Sequence, residues 1–175
     1  MKKILIGIFF LGFTTLMYSQ TAIEPEGLLS KVKTLSPLNS NYANTVYDLD
    51  ISKRVKYLQN LAAEYNVKKH ENYKEGVESF RVVFKENNQY KGTIVATYNR
   101  NGEITDSFEQ YRDVQLPLAV RQSITNLYPD YIILKDIYIV KYSKDGEITK
   151  LYKIKMTNDR DKVTIKMNQN GNLIE

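Results

Sequence analysis

From Glu78 onward the chain alternates apolar and polar residues with a period of two, and this pattern restricts the fold more than any other feature. In Glu78 to Lys85, Phe80, Val82 and Phe84 fall on one side and Ser79, Arg81 and Lys85 on the other, with Val83 the exception. Lys91 to Tyr98 is a second β-rich run, and Glu103 to Tyr111 returns from it. Between them Asn99-Arg100-Asn101-Gly102 reads as a tight hairpin turn, because Asn-Gly tolerates positive φ. The pattern resumes in Tyr131 to Ser143, with a break expected near Lys135-Asp136, and then in Glu147 to Met156 and Lys162 to Asn168. Ile148, Tyr152, Ile154 and Met156 share a face that Lys150 interrupts, and Val163, Ile165 and Met167 share another. Alternation of this kind predicts an antiparallel sheet with one covered face.

Two segments carry a helical period instead. Ile51, Val55, Leu58, Ala62 and Tyr65 recur at spacings of three and four and predict a helix over 52–65, with Asp50 or Ser52 as its cap. Leu116, Val120, Ile124 and Leu127 predict a second helix over 117–128. Pro117 suits its first turn, and Pro129 stops it. The order is helix, strands, helix, strands. The stretch from Tyr98 to Ile104 echoes that from Met167 to Leu173, and the same displacement carries Leu58 onto Leu127. We therefore expect an α+β fold of two tandem helix-plus-antiparallel-sheet repeats, over 48–115 and 116–175, with the helices packed on one face of the sheet.

The N-terminus has a different character. Lys2 and Lys3 precede an uncharged apolar run, Ile4 to Met17, and Ser19-Gln20 opens a polar segment. This is the layout of a secretory signal peptide over 1–19, cut after Ser19 or after Ala22, which leaves no stable membrane anchor. The run is shorter than the roughly 20 residues a spanning helix needs. Losing Lys2 and Lys3 takes the formal charge from +5 to +3, too weakly basic to point to nucleic acid. The location that follows is periplasmic or secreted. Residues 20–47 hold Pro25, Gly27, Pro37 and an Asn/Ser cluster, and are expected to be poorly ordered, with an edge strand over Leu29 to Leu35.

Catalytic chemistry is hard to assemble from these residues. The chain has no cysteine, so it lacks both a thiol nucleophile and thiolate metal ligands. Its one histidine, His70, sits in the charged stretch Lys68-Lys69-His70-Glu71 and reads as a solvated loop residue. Neighbouring carboxylates (Glu24/Glu26, Asp48/Asp50, Asp145/Glu147, Asp159/Asp161) fall in the tail, in turns or before a helix, where caps and solvated turns are the simpler reading. Glycines are scattered, and no phosphate-cradling loop is present. The expectation is no enzyme, no cofactor and no metal.

The outward lysines remain, together with fourteen tyrosines. Arg81, Lys85, Lys153, Lys155 and Lys166 would tint one sheet face basic, and Tyr111, Tyr138 and Tyr142 would sit among or beneath them. Tyrosine and arginine dominate interface hot spots, so these eight positions are the candidate contact residues for a protein or peptide of the cell envelope. A small-ligand carrier, with an apolar pocket between helices and sheet, is the alternative.

Leu116-Pro117-Leu118-Ala119-Val120 opens the second helix and Tyr128-Pro129-Asp130-Tyr131 closes it. Tyr138, Tyr142, Asp145-Gly146 and Leu151-Tyr152-Lys153-Ile154 follow, and then Asn168-Gln169-Asn170-Gly171-Asn172-Leu173-Ile174. Over this stretch the chain resembles the PepSY-like, β-lactamase-inhibitor-like periplasmic domains of Bacteroidetes-type bacteria, and it does so more weakly over 48–112. The resemblance implies tandem helix-plus-sheet repeats, export and no catalysis. It brings no ligand with it.

Overall fold

The computed structural model describes residues 38–86 and 91–174. The leader and the strand expected over Leu29 to Leu35 lie outside these residues. Six strands form one antiparallel sheet in strict chain order: β1 (Ser79–Lys85), β2 (Gly92–Asn99), β3 (Ile104–Arg112), β4 (Ile132–Ser143), β5 (Thr149–Thr157) and β6 (Lys162–Met167). Three helices accompany it: α1 (Ser40–Val46), α2 (Lys53–Glu64) and α3 (Leu118–Leu127). The class is α+β, as the two periods in the sequence imply.

The covered face follows the alternation. Phe80, Val82 and Phe84 of β1 meet Tyr98, Ala96 and Ile94 of β2 in register, and all six are buried. Further along, Tyr111, Tyr138, Tyr152 and Met167 stand side by side across β3 to β6. The rings of Tyr138 and Tyr152 stack at 4.6 Å and those of Tyr111 and Tyr138 at 6.2 Å. Val55, Leu58, Ala62 and Ala63 of α2, with Val120 and Ile124 of α3, complete the same core. Lys150, the residue that broke the pattern of β5, lies on this inner face, and its Nζ meets Asp48 Oδ1 at 2.8 Å. The expected break in β4 is a bulge. Ile133 pairs with Met156 and Lys135 with Lys155, which leaves Leu134 over, and the strand continues.

Three expectations need correction. Residues 40–46 were expected to lack order, yet they form α1, with Tyr42, Ala43 and Val46 buried. The Asn/Ser cluster organises this segment rather than breaking it. Asn39 accepts from Ile104 N through Oδ1 at 2.7 Å and donates to Gly102 O through Nδ2 at 3.2 Å. A seven-residue helix is too short to persist alone, so burial against the sheet holds it. Second, Asp50 does not cap α2. Ser52 occupies the cap position without a side-chain hydrogen bond, while Asp48 accepts from Tyr138 Oη and Lys150 Nζ. Third, Leu127 does not face the core. It is 55% exposed, because α3 ends there and the stripe turns outward.

The turns at 99–103 and 168–172 are built alike. In the first, Asn99 Oδ1 accepts from Asn101 N and Glu103 N, and Gly102 N donates to Asn99 O. In the second, Asn168 Oδ1 accepts from Asn170 N and Asn172 N, and Gly171 N donates to Asn168 O. Gly102 and Gly171 have φ of +85° and +79°, a region that side chains disfavour.

Candidate functional site

The outer face of the sheet is banded. Reading across the strands by register, Arg81, Thr97, Asp106 and Ser143 form the first band. Val83, Val95 and Phe108 form the second, running on to Lys141. Ile139 and Leu151 form a third, and Ile137, Lys153 and Lys166 a fourth. Lys135, Lys155 and Thr164 close the series. The aliphatic members are half-buried between longer polar neighbours, whereas Phe108 is 43% exposed. Beside Phe108, Arg81, Val95, Lys141 and Glu147 line a shallow concavity of about 380 Å³. The three helices occupy the opposite face, so among the described residues no helix covers these bands.

This arrangement divides the eight candidate contact residues. Arg81, Lys85, Lys153, Lys155 and Lys166 lie on the outer face, as the alternation implied. Tyr111, Tyr138 and Tyr142 do not lie on it. Their side chains are buried on the inner side, where Tyr111 is fully enclosed, and only Tyr142 also borders the concavity beside Phe108. Their strand parity matches that of Glu109 and Val140, not that of Phe108 and Ile139. The sequence reading missed Phe108, Ile139 and Leu151. Strict parity counting from Tyr111 and Tyr138 would have placed them outside.

Beneath the sheet lies a polar cluster in which, among the described residues, no cation takes part. Glu109 is fully buried on β3 and accepts from Tyr42 Oη (2.6 Å) and Ser107 Oγ (3.2 Å) through Oε1. Its Oε2 accepts from Gln59 Nε2 and Tyr111 Oη, both at 2.8 Å. Burial pushes the Glu109 carboxyl above the usual carboxylate range, and the four donors oppose that shift. Burial and the adjacent carboxyl raise Tyr42 and Tyr111 well above the usual phenol value, so both stay protonated as donors. Tyr42 of α1 and Gln59 of α2 both bond to Glu109 of β3, so the cluster ties these three elements together. Tyr42, Leu58, Tyr98, Tyr111 and Tyr138 lie buried between the helices and the sheet.

Asp136 is the second buried carboxyl. It accepts from Val114 N at 3.0 Å, just after Asp113, which holds φ of 52°. Burial raises it from 3.8 to about 6. A raised folded-state value means that the folded chain binds the proton more tightly than the unfolded one. This contribution to stability is complete below about pH 4 and is lost as pH rises through about 6. In Asp136→Asn the amide oxygen retains the bond to Val114 N and nothing titrates there. The melting temperature of this variant should fall less between pH 4 and pH 7 than that of the parent, a difference that calorimetry at matched ionic strength reads. Parallel curves would show that Asp136 titrates normally.

His70 ends a short 3-10 turn, and its Nδ1 accepts from Asn72 N at 3.1 Å. Among the described residues no group of three or more His, Asp or Glu side chains is placed to hold a metal ion. No helix among them is long and apolar enough to cross a membrane. No protein-family model matches the chain, and no curated protein matches it.

Proposed function

We propose that this chain is an exported, non-catalytic docking module that takes a protein or peptide of the cell envelope on the outer face of its sheet. The observation that carries the reading is the pairing of an apolar centre that no described helix covers, Val83, Val95, Phe108, Ile139 and Leu151, with a basic surround. An apolar centre inside a polar rim is the usual anatomy of a protein interface. The large side chains buried between helices and sheet among the described residues, Tyr42, Leu58, Tyr98, Tyr111 and Tyr138 with them, favour docking over the carriage of a small ligand. The layout of Lys2, Lys3 and the apolar run to Met17 supports export to the periplasm or beyond.

Two further parts of the reading concern origin. The matched hydrogen bonds at Asn99 and Asn168 support descent of the halves from one duplicated helix-plus-three-strand unit. One helix followed by three antiparallel strands, occurring twice in the chain, also agrees with the PepSY-like, β-lactamase-inhibitor-like resemblance. The test of docking is capture from an envelope extract by the immobilised chain. Lys153→Glu with Lys166→Glu should reduce recovery of the captured protein about tenfold, since both side chains are outward and neither holds the core. Undiminished recovery would remove the sheet face as the site.

A further inference from the structure

The basic residues of the outer face are not spread evenly. Lys135 stands directly opposite Lys155 across β4 and β5, and Lys153 directly opposite Lys166 across β5 and β6. Lys153 and Lys155 are also next neighbours on one side of β5. Four ammonium groups are thus gathered on two adjoining bands. Among the described residues none of the four pairs with a carboxylate. Like charges placed directly opposite each other weaken a sheet, so the fold gains nothing from this placement. Two other lysines of the chain do meet acids, Lys150 with Asp48 and Lys144 with Glu103. Asp106 is the one carboxylate at an outward strand position, and it lies in the band farthest from the four lysines.

Resting on the docking reading, we propose that the partner is an acidic segment of another protein, laid across the sheet with carboxylates over the four lysines and large apolar side chains over Ile137, Ile139, Leu151 and Phe108. Charge complementarity fixes the sign of the partner. The apolar bands beside the lysines fix its class, because a polyanion without apolar groups would leave them wet. The aliphatic side chains are half-buried between longer cationic ones, and the concavity beside Phe108 is recessed. Such a surface receives protruding side chains, whereas a bilayer requires the protein to supply them. The carboxylates would also remove the mutual repulsion of the lysines, so the four unpaired charges cost the complex nothing.

The test uses the full chain and defined probes: a fluorescent peptide alternating Glu with Leu, a Lys-Leu and a Glu-Ser counterpart, and vesicles of phosphatidylglycerol. The Glu-Leu peptide should bind most tightly, and its affinity should weaken with added salt, because exposed charges are screened beyond about 8 Å at physiological ionic strength. Lys153→Glu with Lys166→Glu should weaken it about tenfold or more while the circular-dichroism melt is kept. Equal binding of the Lys-Leu peptide, equal binding of the Glu-Ser peptide, an unchanged affinity in the charge-reversed variant, or binding to vesicles without binding to the peptide would each overturn the proposal. Phe108→Ser separates this failure from failure of the docking reading. If it abolishes capture of the envelope partner while the Glu-Leu peptide neither binds nor competes, the face is a docking site and the acidic partner is wrong. If Phe108→Ser and the charge reversal both leave capture unchanged, both readings fall.

Discussion

Glu109→Ala is expected to destabilise the chain by about 3–5 kcal/mol, because it strands buried donors as well as deleting a side chain. Tyr42 Oη, Tyr111 Oη, Gln59 Nε2 and Ser107 Oγ all lose their acceptor together. Each buried polar group left without a partner costs about 1–3 kcal/mol, although relaxation and entering water recover part of the sum. Glu109→Gln should cost less, since its amide oxygen still accepts, but its NH2 then faces hydroxyl groups that must turn round. Tyr42→Phe combined with Glu109→Ala should cost less than the two single effects added, because one unsatisfied hydroxyl is gone. Denaturant midpoints at constant slope measure all three. A loss below about 1 kcal/mol for Glu109→Ala would mean that the cluster does not tie α1 and α2 to β3.

The second large effect concerns the two matched turns. Gly102 and Gly171 share a left-handed backbone and a hydrogen-bond pattern, but their surroundings differ. A methyl group on Gly102 would meet nothing nearer than Lys68 Cε at 3.7 Å. The same group on Gly171 would sit 2.6 Å from both Ala119 O and Ser123 Oγ of α3. Gly102→Ala should therefore cost only the conformational penalty, about 1–2 kcal/mol. Gly171→Ala adds a collision with helix backbone that no rotamer relieves, and about 3 kcal/mol or more is expected. Equal losses at the two positions would mean that α3 moves away freely and does not seat on the turn after β6.

What could be read beforehand was what alternation and turn chemistry control locally. Phe80, Val82 and Phe84 had to share a face, and Asn101-Gly102 had to turn, because neither depends on distant residues. The misplaced features depend on the whole. Tyr42 has no periodic context to mark it as buried, and α1 is seated against α2 and β4, with Tyr42 bonded to Glu109 of β3. Lys150 looked like a defect in β5 until Asp48, far off in sequence, proved to be its counter-ion. The tyrosines at 111, 138 and 142 were placed near the outer lysines by their chemistry, when counting residues along each strand would have put them inside. The outer face itself was half legible: its lysines were, and its apolar bands were not, because they emerge only when register sets residues of different strands side by side.

The strict chain order of the sheet also governs how the molecule assembles. Every strand pairs only with its neighbours in sequence, so most of the structure can zip up from short-range hairpins, the regime in which small domains fold fast. The bond from Tyr42 to Glu109 departs from this, for it spans 67 residues and works as a clasp. Closing so long a loop early is entropically unrewarding, so the clasp is expected to shut after the meander has formed. Stopped-flow kinetics of Glu109→Ala should accordingly show refolding near the parental rate and markedly faster unfolding, the signature of a contact absent at the barrier.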